Sequence, residues 1–118
     1  MSIPRSLPQD RAERIRHLND VARRAMGVAS RLIQTAGFCA LPAADQSALR
    51  ERVELFNTFT RENDPWGEHD FGAVEHNGHR VFWKIDYYSR QDPDYGSEDP
   101  SDPSKTIRVL TLMLADEY

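Results

Sequence analysis

Apolar positions first recur at helical spacing between Asp10 and Met26, where Ile15, Leu18, Ala22 and Ala25 form one stripe that predicts a helix. Glu13 stands three residues after Asp10, the spacing of a capping box, and Gly27 follows where a left-handed residue commonly closes a helix. Residues 1–9 precede the pattern and are expected to form a flexible N-terminal arm. Arg31–Thr35 (RLIQT) leans toward a strand, and Cys39 lies in the small apolar segment behind it, expected as a buried residue. Pro42 opens a second helix expected to run to about Phe59, because Leu49, Val53 and Phe56 recur at helical intervals. Asn63, Asp64, Pro65 and Gly67 then force a loop that contains Trp66. Trp66 either caps the edge of the core or anchors a partner. Lys105–Leu114 (KTIRVLTLML) reads as a closing strand buried along most of its length.

The period changes from helical to alternating between residues 69 and 88 (HDFGAVEHNGHRVFWKIDYY). Asn77-Gly78 is the preferred two-residue connection of a type I′ hairpin, and it fixes a register in which His76 faces His79, Phe71 faces Lys84 and His69 faces Asp86. Val74, Val81, Trp83, Ile85 and Tyr87 share the face expected to bury against the helices. His69, Phe71, Ala73, Glu75, Arg80, Phe82, Lys84, Asp86 and Tyr88 share the other. The fold expected is α+β, with two helices packed on one face of a small, mostly antiparallel sheet in the order α-β-α-β-β-β, and the last strand pairing beside Arg80–Tyr88.

Between the last two strands, the stretch from 89 to 104 (SRQDPDYGSEDPSDPS) holds three prolines and five acids in sixteen residues, so it is expected as a long exposed acidic loop. Charge divides along the chain: residues 1–60 carry nine arginines against six acids, and residues 61–118 six cations against thirteen acids. An overall charge of −4 disfavours a general nucleic-acid binder, which needs a basic surface or a concentrated basic stripe. The arginines Arg11, Arg14, Arg16, Arg23 and Arg24 on the first helix read as a solvated face. At 118 residues the chain holds one compact domain, expected over residues 10–118. No membrane span and no secretory leader is expected, and one cysteine cannot form an internal disulfide, so the expected compartment is the cytoplasm.

Candidate chemistry follows from the hairpin register. A carboxylate bonded to one nitrogen of an imidazole fixes the tautomer and leaves the other nitrogen as a base, which makes His69 with Asp86 a candidate catalytic dyad. Lys84 would stabilise charge there, and Tyr88 or Glu68 would position a substrate, giving a small hydrolase or nuclease. The competing reading is a structural His-Asp pair at the open end of the hairpin. His69, His76 and His79 with Glu68, Asp70 and Glu75 supply potential metal ligands, but the register puts His69 on the opposite face, roughly 15 Å or more from the other two histidines. The acidic loop lacks EF-hand spacing, and no phosphate-binding or dinucleotide-binding glycine motif is present. Neither metal nor cofactor is therefore expected.

NDPWGEHDFG (residues 63–72), VFWKIDYYS (81–89) and VLTLMLADEY (109–118) closely resemble the bacterial domain of unknown function 3768 family. RIRHLND (14–20), TAG (35–37) and LP (41–42) extend the resemblance to about residues 11–118. It implies a short bacterial protein without an assigned activity, of a kind found in accessory or mobile-element gene neighbourhoods. Glu68, His69, Asp70, Lys84, Asp86, Tyr88, Glu117 and Tyr118 match motif positions, whereas Trp66 and Ser89 stand where the family commonly has His and Asp. The function expected first is therefore an accessory module that binds a protein partner through its acidic C-terminal half, with Trp66, Glu68, Asp70 and Tyr88 as candidate contacts. A homodimer through the Phe71, Phe82, Tyr88 face is a further expectation, and the enzyme is the alternative.

Overall fold

The structure is a computed structural model describing residues 10–118; the arm expected over residues 1–9 lies outside the described residues. Helix α1 spans Arg11–Arg24, strand β1 Arg31–Gln34, the single turn α2 Ala36–Cys39, and helix α3 Ala43–Glu54. Strands β2 (Phe71–His76), β3 (His79–Ser89) and β4 (Thr106–Leu114) follow, and a 3₁₀ turn, Ala115–Glu117, closes the described chain. The sheet has the order β1-β4-β3-β2, antiparallel except for the parallel β1/β4 pair, so the fold is α+β as the sequence pattern predicts. No helix among the described residues is long and apolar enough to cross a membrane.

Local chemistry explains most element boundaries. The Asp10 carboxylate accepts from the Glu13 amide at 2.8 Å, starting α1 as its spacing predicts. Asn77 and Gly78 both adopt positive φ, 53° and 80°, which makes the hairpin turn type I′ and sets the expected register from His76↔His79 to Phe71↔Lys84. Val74, Val81, Trp83, Ile85, Leu110 and Leu112 point inward and pack against Ala22 of α1, Phe38 of α2 and Leu49 and Val53 of α3. Gly72 makes this packing close: a Cβ there would lie 2.5 Å from Nε1 of the fully buried Trp83.

Three expectations are corrected. Helix α3 stops at Glu54 rather than near Phe59: Leu55 N–H donates to the Glu51 carbonyl, Phe56 N–H tightens to the Val53 carbonyl, and tertiary donors hold the chain beyond on a non-helical path. Arg23 donates to the Phe56 carbonyl, and the Asn63 side chain donates to that of Thr58. Phe56 and Phe59 still reach the core, edge-on to Trp83. Cys39 is exposed, because in the one-turn α2 the buried position goes to Phe38. Arg23, placed by sequence on a solvated face, is fully buried. The 89–104 segment is an exposed loop over most of its length, as expected, and it is pinned: Ser89 N–H donates to the Tyr95 carbonyl, Ser97 N–H to that of Tyr87, and Thr106 Oγ1 to that of Asp99. Asp92, Asp99 and Asp102 cap its turns with their side chains.

The other end of the described chain is clamped by one carboxylate. Glu117 accepts from Thr35 Oγ1 at 2.7 Å, from the Gly37 amide at 3.1 Å and from the Leu114 amide at 2.8 Å. These three donors hold its carboxyl below the usual range, and a Cβ at Gly37 would lie 2.6 Å from it. The TAG and ADEY words of the sequence are thus two halves of one contact.

Candidate functional site

The dyad expected between His69 and Asp86 does not form. Pairing continues one step past β2, where Ile85 N–H donates to the Asp70 carbonyl, but His69 takes a φ of 56° and leaves the strand. The Asp64 carboxylate causes the turn, since its Oδ1 accepts from the amides of both Glu68 and His69 at 3.1 Å. The imidazole therefore sits on the helix side of the sheet. Its Nδ1 lies 2.8 Å from Asp20 Oδ1 of α1, its Nε2 lies 3.7 Å from Asp64 Oδ2, and its ring stacks flat on Phe59 at 3.6 Å. With carboxylates toward both nitrogens and an aromatic face against the ring, it has the surroundings of a cross-brace between loop and helix.

A polar chain extends from that brace beneath α1. Arg108 Nε donates to Asn19 Oδ1 at 2.7 Å, the Asn19 amide donates to Tyr87 Oη at 2.8 Å and to the Glu68 carbonyl at 2.9 Å, and Tyr87 Oη donates to Glu68 Oε1 at 3.1 Å. Asn19 is fully buried, and all three of its amide contacts are made, as burial of a polar group requires. Burial pushes the Tyr87 phenol above its ordinary range, so it remains a neutral donor. Arg23 bonds Asp20 at 3.0 Å and stacks over Trp83. Burial alone would raise the Asp20 carboxyl, but hydrogen bonds from His69 and Arg23 outweigh it and hold the group below its ordinary value.

The other singled-out residues lie apart from this network or serve its backbone. Lys84 and Asp86 pair with each other at 3.1 Å on the outer face, beside Tyr88 in an open groove of about 300 Å³ that Ile33 and Val109 also line. Farther along that surface Tyr118 meets Phe71 and Phe82 edge to face, and the two phenylalanine rings are tilted against each other, with ring centres 5.2 to 5.7 Å apart. Burial pushes the Asp70 carboxyl up, and the charges of Glu68, Asp64 and Asp86 add to the effect. Trp66 does not cap the core, being 80% exposed on a loop whose Gly67 carbonyl is held by Arg16 at 3.0 Å. At the hairpin tip, His76 and His79 approach the two oxygens of Asp45 at 3.5 and 3.6 Å. Among the described residues, no group of three or more His, Cys, Asp or Glu side chains is arranged to hold a metal ion.

Sequence reasoning missed Asn19, Asp20, Arg23 and Arg108 as site residues. Part of the signal was present, since Arg16, Asn19, Asp20 and Arg23 fall on one helical face and two of them end the RIRHLND word. Arg108 carried no such sign, because its place in an apolar run suggested only a strand.

A family model described as "Protein of unknown function (DUF3768)" matches residues 34–117. The match begins at the last residue of β1, so α1, which supplies Asn19, Asp20 and Arg23 to the network, lies before it. No curated protein and no solved structure matches the chain.

Proposed function

The chain belongs to the DUF3768 family of proteins of unknown function, and on that premise we propose that it is a cytoplasmic accessory module that binds a protein partner rather than a hydrolase. The observation that carries this reading is Trp66, a large aromatic side chain left 80% exposed on a loop that is otherwise tightly held. Asp64 fixes the loop from within and Arg16 fixes it from α1, so the ring is presented with little ordering left to lose on association. Rigid exposed aromatics of this kind are frequent energetic centres of protein interfaces. The surrounding C-terminal half, with thirteen acids against six cations, favours a partner that offers an apolar pocket within a basic rim.

The hydrolase alternative loses support because its base is engaged elsewhere: His69 contacts Asp20 and Asp64, while Lys84 and Asp86 pair on the opposite face. The test begins with a photo-reactive residue placed at position 66 to capture the partner in cells, followed by reconstitution from purified components. Trp66→Ala is expected to weaken the reconstituted complex by at least about tenfold without changing the unfolding midpoint, and added salt is expected to weaken it further. A reconstituted complex indifferent to Trp66→Ala, or a hydrolytic turnover abolished by Lys84→Ala, would overturn the reading.

A further inference from the structure

The start of β1, the end of β3 and the start of β4 meet at one end of the sheet. The cleft there, about 320 Å³, is lined by Arg31, Arg90 and Arg108, with Gly27, Ser30 and Ile107 among its other walls. Among the described residues no carboxylate lines this cleft, although Arg31 also borders the outer groove that holds Asp86, and Arg90 a neighbouring hollow that holds Glu98. Gathering like charges without a counter-ion is unfavourable, and most so where a charge is removed from water.

Arg108 bears the most of that cost. It is 6% exposed, yet its direct partners are neutral: Nε donates to the Asn19 amide oxygen, Nη2 to the Pro100 carbonyl, and the group lies over the Tyr87 ring at 5.2 Å, while the Glu68 carboxylate acts on it only across space and does not offset the cost of burial. Buried guanidinium groups are ordinarily matched by a carboxylate, as Arg23 is by Asp20 in this same protein. The Arg31 guanidinium makes no hydrogen bond or ion pair among the described residues, and that of Arg90 commits only its Nε, to the Pro103 carbonyl at 2.8 Å. Both guanidinium groups thus keep donors for a ligand, in the forked geometry that suits phosphate oxygens.

We propose that this cleft binds a small phosphate monoester, with the phosphate held by Arg31 and Arg90 and its charge balancing Arg108. Three cations suit a dianion better than a single carboxylate. The volume falls in the range of small-molecule sites, leaving room for an organic substituent beside the phosphate. The site is separate from the Trp66 loop, and neither reading depends on the other.

The test is a calorimetric and NMR titration of the full chain with inorganic phosphate and with glycerol 3-phosphate, at ionic strength held constant with sodium chloride. Saturable binding of both is expected, tighter for glycerol 3-phosphate, with shifts at the amides of residues 27–31 and 107–108. Arg31→Gln and Arg90→Gln are each expected to weaken binding at least about tenfold while keeping the unliganded unfolding midpoint. Arg108 is packed too deeply to serve as the test variant, so the two peripheral arginines take that role. Absence of saturable binding in the wild-type chain, or binding unchanged in both variants, would overturn the proposal. Saturation by inorganic phosphate without binding of glycerol 3-phosphate would overturn the monoester assignment.

Discussion

Both ends of the β2/β3 hairpin are held by histidines facing carboxylates, but the two ends are built differently. At the base, one imidazole makes a 2.8 Å contact with Asp20, stacks flat on Phe59, and has a second carboxylate beyond it. At the tip, two imidazoles approach the single carboxylate of Asp45 at 3.5 and 3.6 Å, and the Asn77 amide donates to it at 3.3 Å. The His69 side chain is 20% exposed, against 32% and 35% for His76 and His79. Like residue types therefore yield a short, ring-stacked brace at one end and, at the other, longer contacts from two more exposed imidazoles to a carboxylate that is itself buried. The base also holds the residues of the NDPWGEHDFG stretch, which fasten the loop to the sheet and to α1.

The comparison can be broken in several ways, beginning with the largest effect. Gly72→Ala should destabilise the protein by about 3 kcal/mol in urea unfolding, because the added Cβ would press into the rigid, buried Trp83 ring. His69→Ala should cost about 2 kcal/mol, by removing the Phe59 stack and leaving Asp20 with Arg23 alone. Asp20→Asn should cost about 1 kcal/mol or more near neutrality, and it should also alter the pH dependence. The folded-state value of Asp20 is lowered from 3.8, so its contribution is full above that pH and fades as the pH falls through the lower folded-state value. Wild type should lose this increment in acid, whereas the variant, lacking it at every pH, should show a shallower decline. Asp45→Asn, which keeps the size of this buried side chain and removes only long contacts, should cost about 1 kcal/mol or less by the same unfolding measurement. A loss at Asp45 equal to that at His69 would erase the distinction between the two ends.

How much of this was legible beforehand differed by scale. Asn77-Gly78 carried the hairpin register because both residues tolerate positive φ, and the cap of α1 followed from Asp10 and Glu13. The register was then extended one residue too far. Alternation describes a strand only while its backbone stays extended, and Asp64, five residues upstream, draws the amide of His69 out of line. That side-chain capture left no periodic trace. The same limit applies to the end of α3, where side chains from α1 and from the loop hold the residues beyond Glu54 on a path that hydrophobic spacing does not show. Hydrophobic alternation located Tyr87 on the inner face but could not say that its hydroxyl would meet Asn19 from a helix 68 positions away. Arg108 was hidden for a related reason, since a charged residue within an apolar strand shows its partners only once the helix above it is in place.

The parallel pairing of β1 with β4 has a consequence for timing. Arg31 aligns with Val109, and β1 sits at the edge of the sheet with β4 as its one neighbouring strand. During synthesis β1 must wait, without a partner, until nearly eighty further residues have been made, whereas the hairpin can close as soon as its own two strands exist. Long loop closures of this kind are slow. The chain should therefore assemble from the hairpin outward, with β1 the last strand to join and, in hydrogen exchange, the first to open.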